Sequence, residues 1–343
     1  MSDSLNSLPS YHVLAPWLDL NRVRFEIELN CPNLAKRFGK YDIWQAHVLR
    51  HKPGRRCLIA YQFMLQNSQT PDQSVTLLGK IRFKGLDEKT PRLTKYLHQH
   101  GFGKRSLVRV PEVLGTVPSL HMWLQEFVAG EVVGPQKRNL VEVQPQIATA
   151  ISKLHESKLP IQHTHTVLNE IKTLDKLYAE LSHCEMQHNL MDLLPLLIKS
   201  YRKAAANLLI SQPAVLHRDF YFDQVLIHND QTVLIDLDTL SLGPAALDIG
   251  NYIGHFIEYA VRDPDCATSC IAACNSFLRS SYELQPTITS SMILSWTILS
   301  IARLIPISRK FPDRYHVTLP LADLLLNLGN SKSNSPFIPR FVW

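Results

Sequence analysis

One segment constrains this chain more than any other: Val215 to Gly250, VLHRDFYFDQVLIHNDQTVLIDLDTLSLGPAALDIG. An apolar strand leads into His217-Arg218-Asp219; four residues then separate Asp219 from Gln224, and the apolar run VLI comes directly after. His-Asn-Asp-Gln at 228–231 makes a polar turn into TVLID, a second apolar strand that ends on Asp236. Antiparallel pairing of these two strands brings the 219–224 loop and Asp236 to the same end of a hairpin. Two carboxylates and an amide oxygen then share one cleft. Hard oxygen donors of this kind suit Mg²⁺, which takes few protein ligands and completes its shell with phosphate and water.

On either side of this hairpin the chain has two characters. The first third reads as strands. VRFEIEL alternates apolar and polar residues and predicts a half-buried strand. IWQAHVLRH, a Lys-Pro-Gly-Arg turn and RCLIAYQFML predict a hairpin. The polar QNSQTPDQS predicts a turn into a third strand, VTLLGKIRF. Thr90-Pro91 predicts an N-cap and first helical position, with Gly101 as the stop, and VRVPEVLGTVPSLHMWLQEFV predicts a short strand pair. Beyond about residue 130 the pattern turns helical, over 166–183, 189–210, 246–262, 266–283, 289–305 and 317–328. The expected fold class is therefore α+β and bilobal, with a β-rich lobe over 1–128 and a mainly helical lobe over 129–343.

Composition excludes several other classes. The chain has 343 residues, enough for two lobes around sizeable cores. Its 13 Gly rule out collagen-like and Gly-rich disordered chains, and no G-x-x-x-x-G-K-[ST] loop exists: Gly79-Lys80 has Ser74 where the first Gly belongs. The net charge of +6 is mild, and clusters such as Lys52-Pro-Gly-Arg55-Arg56 and Lys104-Arg105 are short and scattered, so no nucleic-acid partner is expected. Met292 to Ile305 is apolar but shorter than a bilayer span and carries Ser295, Ser300 and Arg303; it reads as a buried helix, with no membrane partner. The start has no basic region followed by an apolar core, and six Cys in such a chain point to free thiols in a cytoplasmic setting. Cys266, Cys270 and Cys274 share a helix face but lack a fourth ligand, which favours packing over metal binding.

The segment 217–236 resembles the protein-kinase catalytic loop, H-R-D-x-x-x-x-N, followed by a metal-binding Asp. It is most similar to the aminoglycoside phosphotransferase family of small-molecule kinases, whose loop commonly reads His-Gly-Asp-x-x-x-x-Asn. The resemblance extends from about residue 40 to at least 260. It implies a protein-kinase-like fold and an ATP- and Mg²⁺-dependent transfer of the γ-phosphoryl group to a small-molecule hydroxyl. Asp219 would orient that hydroxyl and take its proton. Asp236 and Gln224 would hold Mg²⁺. By the same resemblance Lys80, on the third strand, would fix the α- and β-phosphates, and backbone groups of Gln125, Glu126, Phe127 and Val128 would meet the adenine. His217 and Arg218 would support the loop, Asp248 of LGPAALDIG would brace it, and IATAISKLHES matches the family's Leu-His helix.

Departures from the pattern bear on function. Position 224 is Gln where Asn is usual, as in some sugar kinases such as maltokinases, and Asp236-Leu237-Asp238 replaces Asp-Phe-Gly, so Asp238 is a candidate second metal contact. The helix from Thr90 carries no acid to pair with Lys80; only Asp87 and Glu88 precede it. A nucleotide-binding pseudokinase scaffold is the alternative these departures raise, and a protein kinase is disfavoured by the lack of an Ala-Pro-Glu segment or a long activation loop. Region 166–210 holds Glu170, Asp175, Glu180, Glu185 and Asp192 against five Lys or Arg. That balance favours a sugar, amino alcohol or other metabolite over an aminoglycoside; an antibiotic-modifying kinase is the second alternative. Oligomeric state is left open.

Overall fold

The chain enters its first unit through three helices, α1 (Tyr11–Leu18), α2 (Leu20–Asn30) and α3 (Pro32–Phe38). The computed structural model describes residues 11–65, 74–182, 188–208 and 212–329, and the chain divides into two units, Met1–Ala129 and Gly130–Trp343. VRFEIEL, expected as a strand, is helical and lies within α2. Val23 and Ile27, one turn apart, are fully buried while Phe25 and Leu29 are exposed, so the alternation was only part of a helical stripe. Asp19 starts the helix by accepting the Arg22 N–H at 3.1 Å.

Behind these helices stands an antiparallel sheet of β1 (Tyr41–Lys52), β2 (Arg56–Leu65), β3 (Ser74–Arg82), β4 (Val108–Arg109) as a separate short strand, β5 (Val113–Val117) and β6 (Met122–Glu126); the five-stranded order is β1-β2-β3-β6-β5. The predicted hairpin is β1–β2, turning at Gly54 with φ 66°. The expected turn QNSQTPDQS falls on 66–73, outside the described residues, up to the Ser74 that opens β3. Val23 and Ile27 share one buried apolar cluster with Tyr41, Ile59, Tyr61 and Phe63, and Tyr61 donates its hydroxyl to Trp17 O at 2.9 Å, which ties α1 to the sheet. Gly79 is a packing glycine: a Cβ there would stand 2.6 Å from Met122 Sδ and Tyr61 Cε2. The helix α4 (Lys89–Gln99) begins one residue before Thr90. Its cap is Asp87, which accepts the Thr90 N–H at 3.1 Å and the Thr90 hydroxyl at 2.7 Å.

The second unit starts at β7 (Glu131–Val132), then runs through α5 (Gln144–His155), α6 (Val167–Ser182) and α7 (His188–Ala206). The β island comes next: β8 (Ala214–Leu216), β9 (Val225–His228), β10 (Gln231–Leu234) and β11 (Ser241–Gly243). β9 pairs with both β10 and β7, and β8 pairs with β11, a strand that periodicity did not reveal because it is only three residues long. The helices α8 (Ala246–Arg262), α9 (Ala267–Leu284), α10 (Ser290–Ser308) and α11 (Thr318–Gly329) complete the unit. Cys270 and Cys274 are buried in α9. α10 is long and apolar enough to cross a membrane, yet 67% of its apolar stretch is buried inside the protein, as expected of a core helix. It lies close on α8 because Gly250 and Gly254 have no side chain: a Cβ on Gly250 would sit 2.7 Å from Thr297 N, and one on Gly254 2.5 Å from Ser300 Oγ.

Candidate functional site

The short pair β8–β11 delivers the chain into His217-Arg218-Asp219, where a buried carboxylate fixes the backbone. Asp248, in the first turn of α8 and fully buried, accepts the His217 N–H at 2.8 Å and the Arg218 N–H at 2.7 Å. These two bonds hold Arg218 at φ 70°, a left-handed conformation that costs a side-chain-bearing residue about 1–2 kcal/mol. That geometry gives a physical reason for a Gly in the middle of such loops. His155 at the end of α5 also reaches Asp248, with Nε2 at 3.1 Å, and its other ring nitrogen lies 3.0 Å from Gln285 Oε1.

Further bonds fix the loop beyond that fork. The His217 ring reaches Ile235 O at 2.8 Å, and Thr239 donates its hydroxyl to His217 O at 2.6 Å. Phe220, fully buried, stacks on Tyr252 at 5.1 Å, and its carbonyl accepts the Asn251 amide N–H at 2.8 Å. Asp219 stands half-buried between these anchored neighbours.

The hairpin register closes the other side. Leu234 pairs with Val225, and the Ile235 N–H donates to Gln224 O at 3.0 Å. Gln224, at the end of a 3₁₀ turn (Phe222–Gln224) and buried, is thereby joined by backbone to the residue before Asp236. Asp236 is half-buried with φ 55°, a second left-handed residue of this centre, and Asp238 comes in the next turn. Among the described residues no three His, Cys, Asp or Glu side chains gather to hold a metal by themselves. A carboxylate at Asp236 and an amide oxygen at Gln224, on backbone joined at the end of one hairpin, are hard donors of the kind that fits Mg²⁺ with coordination completed from outside the protein.

The first unit holds the other expected residues. Lys80 sits on β3 opposite Leu58 and Trp123, with its ammonium 5.2 Å from the centre of the Trp123 ring. The end of β6 holds Gln125, buried, and Glu126, whose carboxylate accepts Arg109 at 2.9 Å and the Glu112 N–H at 3.2 Å. The Glu126 side chain is thus engaged in the fold, and its backbone N–H donates to Glu112 O at 2.9 Å. Phe127 is exposed and Val128 buried. Glu88 is exposed at the N-cap position of α4 and makes no capping bond. Arg82, at the end of β3, forms an ion pair with Asp87, two residues before this helix, at 2.9 Å.

Sequence reasoning overlooked His155, Thr239 and Asn251. Asn251 had a signal, since it lies one helical turn from Asp248 on the same face of α8. His155 lay in a motif already noticed but given no task, and Thr239 announced itself by nothing local.

A model of the phosphotransferase enzyme family matches residues 88–268, more than half of the 343. No curated protein matches the sequence. Similar solved structures include a choline/ethanolamine kinase family protein from Mesorhizobium loti, 14% identical over 93% of this chain and 96% of that one, with a TM-score of 0.56. A choline kinase from Cryptosporidium parvum Iowa II is 14% identical over 91% of this chain and 96% of its own, with a TM-score of 0.59. An aminoglycoside phosphotransferase in ternary complex with AMP-PNP and hygromycin B is 13% identical over 88% of this chain and 99% of its own, with a TM-score of 0.59. At such identities the likeness is one of fold, α+β and protein-kinase-like.

Proposed function

Because the chain belongs to the phosphotransferase enzyme family, we propose that it transfers the γ-phosphoryl group of ATP to a hydroxyl of a small molecule. The observation that carries this reading is the double backbone clamp of Asp248 on His217 and Arg218. Such a clamp presents Asp219 in one fixed pose, and phosphoryl transfer needs positioning and charge stabilisation more than covalent help. Asp219 orients the acceptor hydroxyl and takes its proton as the new P–O bond forms. Gln224 and Asp236, with Asp238 as a further donor, would hold Mg²⁺, which when bound neutralises charge on the β- and γ-phosphates. Lys80 would take the α- and β-phosphates, and backbone groups from Gln125 to Val128 would bond the adenine edge. His217, Arg218 and Asp248 keep the loop in place without touching substrate.

The acceptor is a sugar, amino alcohol or other metabolite in preference to an aminoglycoside. Three carboxylates that were candidates to meet a polycation are already engaged: Glu170 with His165, Asp175 with Arg202 and Glu180 with Lys310. Glu185 lies outside the described residues. The unbridged cysteines at 31, 57, 266, 270 and 274 support a reducing, cytoplasmic location.

Purified protein given Mg-ATP and a panel of hydroxyl compounds should release ADP with one chemical class. Asp219→Asn should reduce that release by at least about a thousandfold, the loss of the acid–base term and more. Undiminished turnover in the variant would remove Asp219 from the mechanism. Stabilisation by Mg-ATP with no turnover on any compound would instead favour a nucleotide-binding scaffold.

A further inference from the structure

One helix holds the chain on both sides of Asp219. Asp248 of α8 accepts the N–H groups of His217 and Arg218, which precede it. Asn251, three residues further along α8 and on the same face, takes the carbonyl that follows, donating its amide N–H to Phe220 O at 2.8 Å. The two side chains differ in one respect. Both ends of a carboxylate accept, so Asp248 grips whichever way it is turned. One end of an amide donates and the other accepts, so a half-turn of Asn251 would set oxygen against oxygen at Phe220. The hold on the residue after Asp219 therefore depends on which way one buried amide faces, and Asn251 is only 1% exposed.

The orientation of that amide is decided by α10. Asn251 Oδ1 accepts the Ser300 hydroxyl at 3.0 Å and the Arg303 guanidinium. Two donors converge on the oxygen, which leaves the NH₂ end for Phe220 O. The guanidinium is fixed in turn: it lies 3.5 Å from one oxygen of Glu170 on α6, whose other oxygen is 3.0 Å from His165 Nε2. Burial pushes the Glu170 carboxyl up, but Arg303, His165 and Arg218 outweigh that and hold it below the ordinary range. The charge of Arg303 is thus matched within the fold, and what it contributes to Asn251 is direction.

From His165 the contacts lead back to where the loop begins. The His165 N–H donates to Leu242 O at 2.7 Å, and Leu242 pairs with Val215 on β8, the strand that runs into His217. A chain of polar links therefore leaves the backbone just after Asp219, passes through α8, α10 and α6, and rejoins it just before. A buried ion pair adds little net stability over apolar packing of the same volume, so stability alone is a weak reason for Arg303 and Glu170 to stand here.

We infer that Asn251 and Arg303 are positioning residues for phosphoryl transfer: Arg303, anchored on Glu170, orients the Asn251 amide, and Asn251, through Phe220 O, sets the aim of the Asp219 carboxylate at the acceptor hydroxyl. The role of Asp219 in this sequence rests on the kinase reading, whereas the hold on Phe220 stands on the hydrogen bonds alone. Neither side chain touches substrate, so the cost of disturbing them falls on kcat and not on KM.

Asn251→Asp tests this directly, because it keeps the oxygen that Ser300 and Arg303 use and replaces the donor facing Phe220 O with an acceptor. With Mg-ATP and the compound that the hydroxyl panel selects, its kcat should fall about thirtyfold or more while both KM values change less than about threefold. Arg303→Lys keeps a positive charge beside Glu170 but loses the planar fork, and its kcat should fall about tenfold. The double variant should be within about threefold of Asn251→Asp, because Arg303 acts only through Asn251. Thermal midpoints show that each variant is folded, and Arg303→Lys carries the kinetic test alone if Asn251→Asp is not. A loss confined to KM, a kcat left within about threefold of wild type, or losses that multiply in the double variant would overturn the inference. Hydrogen exchange supplies an arm that needs no turnover: amides of residues 217–224 should exchange about tenfold faster or more in Asn251→Asp, with those of α9 unchanged. If the wild type transfers phosphate to no compound, the kinase reading falls, and this arm alone decides the hold on the loop. Unchanged exchange at 217–224 overturns that hold.

Discussion

Two stretches of this chain carry its candidate phosphate chemistry, and they are held by different means. In the second unit the backbone N–H groups of His217 and Arg218 both end on the buried Asp248, which His155 also reaches. In the first unit Lys80 is set by strand register and lies over the Trp123 ring at 5.2 Å. A loop has no ladder to position it, so it needs buried acceptors of its own; a strand residue inherits its place from its neighbours. The contrast predicts different responses to mutation. Asp248→Ala strands two N–H groups and an imidazole, each at roughly 1–3 kcal/mol, so stability should fall by about 3 kcal/mol or more and ADP release by at least about a hundredfold. Lys80→Met should cut ADP release as well, yet shift stability by less than about 1 kcal/mol. Urea unfolding beside an ADP assay reads both. Equal loss of stability in the two variants would erase the distinction.

Glycines sharpen the same comparison. A Cβ on Gly250 meets the main chain of α10, at 2.7 Å from Thr297 N, whereas one on Gly79 meets the thioether of Met122 and the edge of Tyr61, both at 2.6 Å. Main chain cannot step aside, but a methionine side chain can. Gly250→Ala should therefore destabilise by about 2–3 kcal/mol and Gly79→Ala by about 1 kcal/mol, within the range for overpacking. Thermal midpoints of the two variants measure the order, and a reversal would place the tighter packing in the sheet.

The loop of residues 217–224, the hairpin and the helices of the second unit were legible because each shows in a local pattern: a motif at fixed spacing, a period of two, or a period of 3.6. The opening helices were not. VRFEIEL satisfies a strand's alternation and a helix's i, i+4 pair at Val23 and Ile27 together, and only the Asp19 cap decides between them. The start of α4 was missed by one residue because Asp87, not Thr90, makes the cap. His155 was invisible as a site residue for another reason. Its significance lies in what it touches, Asp248, and sequence periodicity holds no record of partners.

Acid should probe the second unit through His255. Burial first, then Arg303, Arg314 and Arg262, lower its pKa to about 3 from an ordinary 6.5. A histidine depressed in the folded state contributes stability above its unfolded pKa and loses it as pH falls. The loss should run from about pH 6.5 downward to about pH 3. His255→Phe keeps a ring against Tyr221 and has no proton to bind, so its urea midpoint should fall less than the wild type's between pH 7 and pH 4.5. Identical acid slopes would show that other groups set the limb.

The smallest effect is expected at Arg218, and it separates the loop's geometry from its charge. Its φ of 70° is unfavourable for any residue with a Cβ, by about 1–2 kcal/mol, and Gly removes that strain while adding roughly 1 kcal/mol of freedom to the unfolded chain. The N–H that Asp248 accepts is unchanged by the substitution. What is lost is the guanidinium, one of the charges that hold the Glu170 carboxyl below its ordinary range. Arg218→Gly should thus be stabilising by less than about 1 kcal/mol and keep ADP release within about tenfold. A destabilised variant with intact kinetics would mean that the Arg218–Glu170 attraction outweighs the backbone strain. A stable variant with a hundredfold loss would make the guanidinium a participant in transfer, and Asp248's backbone clamp would then be necessary but not sufficient for the loop to work.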